Sequence, residues 1–329
     1  MSIKRVLNCC LLLIVVYSQG SYAADYSQHP LAQKWLQEML DEGFTKEYLT
    51  KVLGTAKRKD SILKAMARPA EARKTWEQYR SGFIRTKGIQ NGNKFWKKHA
   101  PALARAEREF GVPAQMIVSI IGVETRYGKV TGNYRVIDAL STIAFDHPRR
   151  GEYFRNQLKE FLLLCREERL SFSEIKGSYA GAMGIGQFLP SSFRKYAIDY
   201  DGDGKKDIWK NPVDAIGSVA NYFAEHGWLK DQPVVISAKV SQEIDKEWYN
   251  NGLDLKVTLQ QWRSRSISGA EQLQQQQKAT LMKLIYDDKD QYWFGLQNFY
   301  VITRYNRSRF YAMAVFQLSE LIKAENKLS

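Results

Sequence analysis

The chain has 329 residues, enough for two or three domains and a sizeable core. Hydrophobic residues make up 44% and charged residues 26%, the balance of an ordinary globular protein rather than of a disordered one. The net charge of +14 favours acidic polymers or membrane surfaces as partners. Nucleic acid is not expected, because the basic residues are not interleaved with aromatics in any one stretch. The 18 tyrosines and 8 tryptophans suit a carbohydrate cleft, where flat rings stack on sugar faces, and equally suit a large core.

Residues 1–23 read as an export signal. Lys4 and Arg5 precede the apolar run from Leu11 to Tyr17, which is too short to span a bilayer, and Ser21-Tyr22-Ala23 ends in small residues. Cleavage is expected after Ala23, with a periplasmic destination. Cys9 and Cys10 precede the apolar run instead of closing it, so no lipid anchor is expected. Removal of the signal leaves Cys165 alone in Phe161-Leu162-Leu163-Leu164-Cys165, a buried core thiol without a disulfide partner.

From 24 to 100 the pattern is helical and basic. Leu36, Met39 and Leu40 fall at helical spacing, Gly43 breaks the run, and Tyr48, Val52 and Leu53 begin another. Residues 101–230 are again mostly helical and hold the unusual features. Pro113 and Gly128 bracket a helix on which Ile117, Ile120, Ile121 and Glu124 share one face. A carboxylate thus continues an apolar stripe. Glutamate is rarely buried without a partner, and burial raises its pKa toward that of a general acid. Two readings remain open from the stripe alone: a glycosidase-type acid, or a helix-end glutamate paired with Arg126 or another base. Glycosidases usually employ two carboxylates. Asp138 and Asp146 are close in sequence but read as turn residues, so a single acid fits better a reaction in which the substrate's own group attacks.

Further on, Asp199-Tyr200-Asp201-Gly202-Asp203-Gly204-Lys205 looks like the start of an EF-hand loop, with Asp199, Asp201, Asp203 and the Lys205 carbonyl as calcium ligands. The position of the usual closing glutamate is Lys210, so an acidic turn without metal is the alternative. The four histidines show no zinc spacing. Residues 231–300 change period. Val234, Ile236 and Ala238 alternate with Val235, Ser237 and Lys239, and Leu253, Leu255 and Val257 follow the Asn250-Asn251-Gly252 turn. Leu281 to Tyr286 and Gln291 to Tyr300 are further expected strands. Residues 301–329 return to helix from Tyr311 through Leu321. The fold class is mainly α with a small inserted β module, α+β.

Five motifs appear in order. They are Ile121-Gly122-Val123-Glu124-Thr125-Arg126-Tyr127-Gly128, Asp146-His147-Pro148-Arg149-Arg150-Gly151-Glu152-Tyr153-Phe154, the glycine-rich run from Gly177 to Ser192, Ala215 to Phe223, and Tyr305-Asn306-Arg307-Ser308-Arg309-Phe310-Tyr311. Together they resemble the lytic murein transglycosylases, in a soluble form, from about Ala24 to the C-terminus. The resemblance implies a lysozyme-like core at 101–230, a helical domain at 24–100 and a small β domain at 231–300. It implies peptidoglycan glycan strands as the substrate, cut between N-acetylmuramic acid and N-acetylglucosamine without water. Glu124 would protonate the leaving oxygen and then take the proton of the muramic acid 6-hydroxyl, giving a 1,6-anhydro end without a catalytic cofactor. Ser178 would bond near the carboxyl or the acetamido group, and Gln187 would contact the sugar. Tyr153, Tyr222, Tyr305 and Tyr311 would line the cleft with Asn306, and Tyr79 would join from the helical domain. Arg149 and Arg150 would meet acidic peptide stems, and Asp214 would close a longer calcium loop. A lysozyme-type muramidase and a non-catalytic wall-binding protein are the rival readings. The missing second carboxylate argues against the first, and the retention of Glu124, Ser178 and Gln187 against the second.

Overall fold

The computed structural model describes residues 25–67, 74–286 and 289–328; the expected export signal lies outside them. Helices dominate the described residues up to Glu225. The expected periodicity before residue 100 appears as helices Pro30–Asp41, Lys46–Thr55, Asp60–Met66, Trp76–Arg80 and Thr86–Lys98. Leu36, Met39, Val52 and Leu53 are buried, and Gly43 turns the chain in the left-handed region at φ +78°. Helices Ala100–Phe110, Ala114–Thr125, Val136–Asp146, Gly151–Glu167, Pro190–Tyr196 and Pro212–Glu225 follow. One continuous apolar cluster runs through both sets of helices and into the last helix, Arg309–Leu328. Cys165 lies in that cluster, and burial pushes its thiol up to about 12.

The late β segment forms a five-stranded antiparallel sheet in the order Val257–Thr258, Lys278–Ile285, Asp290–Gly295, Val235–Val240, Ile267–Ser268. It has its own apolar cluster, including Leu259, Trp262, Leu281 and Phe294. Two expectations change here. The alternating Leu253, Leu255 and Val257 yield only the strand Val257–Thr258, because Thr258 caps the helix Leu259–Ser264 through a capping box with Gln261. The expected strand Gln291 to Tyr300 stops at Gly295, and a helix, Gln297–Tyr305, takes over. A Cβ at Gly295 would come 2.7 Å from the Phe299 ring, so the chain turns tightly where only glycine fits. Phe299 and Ile302, three apart, then bury one helix face. Among the described residues, no helix is long and apolar enough to cross a membrane.

A small hairpin frames the end of the Ala114–Thr125 helix. Tyr134–Arg135 pairs with Lys176–Gly177, and Met183 bridges both Gly177 and Phe188. Gly132, at φ +96°, runs so close to this hairpin that a Cβ would sit 2.1 Å from the Gly177 carbonyl oxygen and 2.5 Å from the Ser178 nitrogen. Backbone is on both sides, so nothing flexible yields. Gly132→Ala is expected to destabilise the protein by about 1–3 kcal/mol through strain and overpacking, read as a lowered Tm in thermal unfolding. A Tm equal to that of the unsubstituted protein would contradict this packing.

Candidate active site

Glu124 lies in the last turn of the Ala114–Thr125 helix, as the stripe predicts, with Ile117, Ile120 and Ile121 fully buried on the same face. The helix ends abruptly. Arg126 and Tyr127 both take left-handed backbone, at φ 51° and 62°, a conformation costly for side chains of this size. Their surroundings hold it. The Tyr127 ring occupies the space over Gly122, where a Cβ would come within 2.7 Å, and its hydroxyl donates to the Gly88 carbonyl at 2.8 Å. Thr125 is buried, and its hydroxyl donates to Ile121 O (3.1 Å) and Ile185 O (2.9 Å) while accepting from Gly128 N (2.9 Å). That hydroxyl joins the acid's helix to the glycine-rich loop. The motif containing Thr125 was legible in the sequence, but the role of the side chain was not.

Glu124 forms no ion pair among the described residues, so the helix-end pairing with Arg126 is not what the structure holds. Its Oε1 accepts a very short hydrogen bond from the Tyr311 hydroxyl. Desolvation raises the carboxyl to about 7, and the Tyr311 bond pulls slightly the other way. Tyr311 itself is raised well above its ordinary value by burial and by Glu124, so it stays a donor. Tyr305 lies beside the same carboxyl, and its hydroxyl donates to Gly186 O at 2.5 Å. Its ring meets Tyr222 at 4.8 Å, and Tyr222 donates to Arg304 O at 2.6 Å. Asp138 and Asp146 are both committed elsewhere. Asp138 binds Arg135 and Lys57 N, while Asp146 binds Tyr26 and Arg58.

The other expected residues divide. Tyr79 packs 5.5 Å from Phe310, the neighbour of Tyr311. Ser178 makes no bond to Glu124; its Oγ accepts from Ala182 N at 3.1 Å. Gln187, at φ 53°, has its amide nitrogen tied to Thr131 O (3.1 Å) and Gly184 O (2.9 Å). Asn306 is exposed after the Gln297–Tyr305 helix, and its carbonyl accepts from Ser308 N at 2.7 Å. Tyr153 is 47% exposed, with its ring edge-on to Phe154. Arg149 and Arg150 are exposed at a separate pocket and helix start, Arg149 lining the pocket with His147 and Glu152.

Asp199, Asp201 and Asp203 bring one oxygen each within 4.8 Å of one another. Asp199 accepts from the backbone N–H groups of Gly202 (2.8 Å), Asp203 (3.1 Å) and Gly204 (2.7 Å). Its carboxyl is lowered: burial raises it, and these bonds together outweigh that. An all-oxygen, acid-rich loop of this kind fits a hard divalent cation. Asp214 stands outside the cluster. It is buried, and its oxygens accept from Tyr200 N and Asp207 N, both at 2.8 Å. It fastens the loop's backbone to the Pro212–Glu225 helix.

A family model described as Transglycosylase SLT domain matches residues 27–320. The chain is 43% identical over 308 residues to the Escherichia coli K12 membrane-bound lytic murein transglycosylase B, covering 91% of this chain and 84% of that protein. The crystal structure of catenated lytic transglycosylase SltB1 from Pseudomonas aeruginosa matches with a TM-score of 0.89 at 50% identity, over 92% of this chain and all of that one. The Escherichia coli lytic transglycosylase Slt35, solved in complex with calcium, matches with a TM-score of 0.83 at 43% identity, over 92% of this chain and 96% of that one.

A carboxyl raised to about 7 in the folded protein binds a proton that the unfolded chain releases near 4.5. Between those pH values the folded state holds more protons, so its stability falls as pH rises and levels off above 7. Glu124→Gln removes this dependence. The variant is expected to gain stability relative to the parent as pH climbs through that window, by about 1–3 kcal/mol at pH 8, and none below pH 4. Unfolding curves of both proteins from pH 4 to 8.5 measure it; a constant difference across the range would contradict the burial.

Proposed function

The chain belongs to the SLT-domain lytic transglycosylases, the lyases that cut the N-acetylmuramic acid to N-acetylglucosamine bond of peptidoglycan and leave 1,6-anhydro ends, and from that premise we propose that Glu124 is its acid and base. One observation supports this above the others: the Glu124 carboxyl is desolvated to about 7, with a tyrosine and no cation as its partner. At neutral pH a large fraction is protonated and able to donate to the leaving glycosidic oxygen. Tyr311 occupies Oε1, so the proton is carried on Oε2, which has no protein partner among the described residues. The carboxylate left behind then accepts the proton of the muramic acid 6-hydroxyl as that oxygen closes on the anomeric carbon. Atoms balance without water, and no second carboxylate is required. An attacking group inside the substrate itself has an effective concentration of up to about 10⁵ M or more.

In this reading Tyr305 and Tyr311 hold the acid's surroundings, Tyr222 supports Tyr305, and Tyr79, Tyr153 and Asn306 face the sugars. Ser178 and Gln187 shape the loop under the bound strand, and Arg149 and Arg150 meet stem-peptide carboxylates. The work is divided among a helical part at 24–100, a core at 101–230, a β part at 231–300 and a closing segment at 301–329. The export signal and the chemistry of the substrate point to the periplasm.

Glu124→Gln is expected to lower turnover on purified sacculi by at least about 100-fold. The parent's products, read by mass spectrometry, should end in 1,6-anhydro-muramic acid, lighter by one water than hydrolysis products. Reducing muramic acid ends in the majority would make the protein a muramidase. The parent's rate should also fall as pH rises past about 7, where the acid loses its proton.

Calcium is the second part of the proposal, held by Asp199, Asp201, Asp203 and the Lys205 carbonyl, with Asp214 holding the loop's shape. A cation relieves the repulsion of three clustered carboxylates and binds only the folded loop, so millimolar calcium should raise the Tm above that in EGTA. Asp201→Ala with Asp203→Ala should abolish the rise. An equal Tm of the parent with calcium and with EGTA would remove the site.

A further inference from the structure

Two side-chain hydroxyls close a circuit around the acid. Thr125 follows Glu124 directly and is fully buried. Its hydroxyl accepts from Gly128 N at 2.9 Å, which turns its single proton toward the carbonyls opposite. The Ile185 carbonyl, at 2.9 Å, is nearer than the Ile121 carbonyl, at 3.1 Å. Ile185 continues into Gly186, whose carbonyl accepts from the Tyr305 hydroxyl at 2.5 Å. Tyr305 lies beside the Glu124 carboxyl. The path therefore leaves Glu124 through its neighbour in the chain and returns to its side chain from a different helix.

The circuit has little slack. A Cβ at Gly186 would come 3.1 Å from the Tyr305 hydroxyl oxygen and 3.3 Å from the Val219 side chain, so the loop already runs close to Tyr305. The titratable groups that face the carboxyl among the described residues are Tyr311 and Tyr305. Burial holds both protonated, so Glu124 alone titrates there near neutral pH.

A reacting group tolerates little displacement: a shift of about 1 Å can cost about 100-fold in rate. Glu124 is exposed to such a shift, because its helix ends at the next residue and the chain turns into left-handed backbone at Arg126 and Tyr127. We infer that Thr125 is a positioning residue for the reaction: through the Ile185 carbonyl its hydroxyl sets the glycine-rich loop, and with it Tyr305, in a fixed place against the Glu124 carboxyl. The hydroxyl carries this role and the methyl does not. Valine has nearly the same shape, yet it leaves the Gly128 N–H and the Ile185 carbonyl without this partner, and a buried polar group left unpaired is costly. The loop then draws back and admits water to the carboxyl. The inference rests on the transglycosylase reading with Glu124 as the acid, and adds to it a residue that acts only through others.

The test measures kcat, KM and their pH dependence on soluble glycan strands for Thr125→Val, Thr125→Ser and the unsubstituted protein. Thr125→Val should lower kcat about tenfold or more with KM nearly unchanged. Its rate should also begin to fall at a lower pH than the parent's, because water admitted to the carboxyl lowers its proton affinity. Thr125→Ser keeps the hydroxyl and should restore both quantities close to the parent's. Thr125→Ala takes the place of valine if Tm shows that the valine variant does not fold. Tyr305→Phe cuts the circuit at its other joint and should shift the pH limb in the same direction. Combined with Thr125→Val it should cost less than the product of the two single losses, since both interrupt one path. A lowered Tm with unchanged kcat and pH limb in Thr125→Val makes the hydroxyl merely structural and overturns the inference. An equal loss in Thr125→Val and Thr125→Ser overturns it too, as does an unmoved limb in Tyr305→Phe. A parent that forms no 1,6-anhydro ends defeats the transglycosylase reading itself; a parent that forms them, with variants that match it, defeats the inference alone.

Discussion

The Glu124 carboxyl is half-buried at the end of its helix, with the Tyr311 hydroxyl and no cation as its partner among the described residues. A guanidinium or ammonium beside it would lower its pKa and leave it ionised at neutral pH. Tyr311 satisfies Oε1 and carries no charge. Desolvation of the carboxyl outweighs the tyrosine's opposing effect. Much of the surrounding structure follows from keeping that arrangement closed.

The closure is made of backbone held in costly shapes. Arg126, Tyr127 and Gln187 all adopt left-handed φ, and each is pinned through a side chain or a neighbour that would otherwise be free. Gly122 leaves room for the Tyr127 ring, Thr125 binds the loop at Ile185, and the Gln187 amide binds two carbonyls. Strain at such positions persists only where the surroundings over-determine it. Neither the Ser178 nor the Gln187 side chain bonds the Glu124 carboxyl; Ser178 accepts from Ala182 N, and Gln187 donates to Thr131 O and Gly184 O.

The acidic loop is coupled to the same frame. A Cβ at Gly184 would come 2.6 Å from Ile208 O, and Ile185 N donates to that oxygen at 2.8 Å, so the glycine-rich loop leans on the far end of the aspartate loop. Asp214 and the Arg105 guanidinium, 3.5 Å over the Tyr200 ring, hold its other side.

The sequence by itself determined the helices before residue 230, the change to a period of two after it, and the carboxylate on an apolar stripe. Those features are local: they follow from spacing along 3.6-residue and two-residue repeats, which a linear chain displays directly. The turn at Gly295 from strand to helix was hidden, because it depends on Thr280 and Phe299 closing around one glycine. The partner of Glu124 was also hidden. Arg126 is two residues away and Tyr311 is 187, and nothing in the linear spacing says that the near cation points away while the distant hydroxyl arrives. Only tertiary packing decided that, since desolvation and hydrogen bonding act through space, and so only the folded chain fixes whether the stripe's glutamate is an ordinary anion or an acid that keeps its proton near neutral pH.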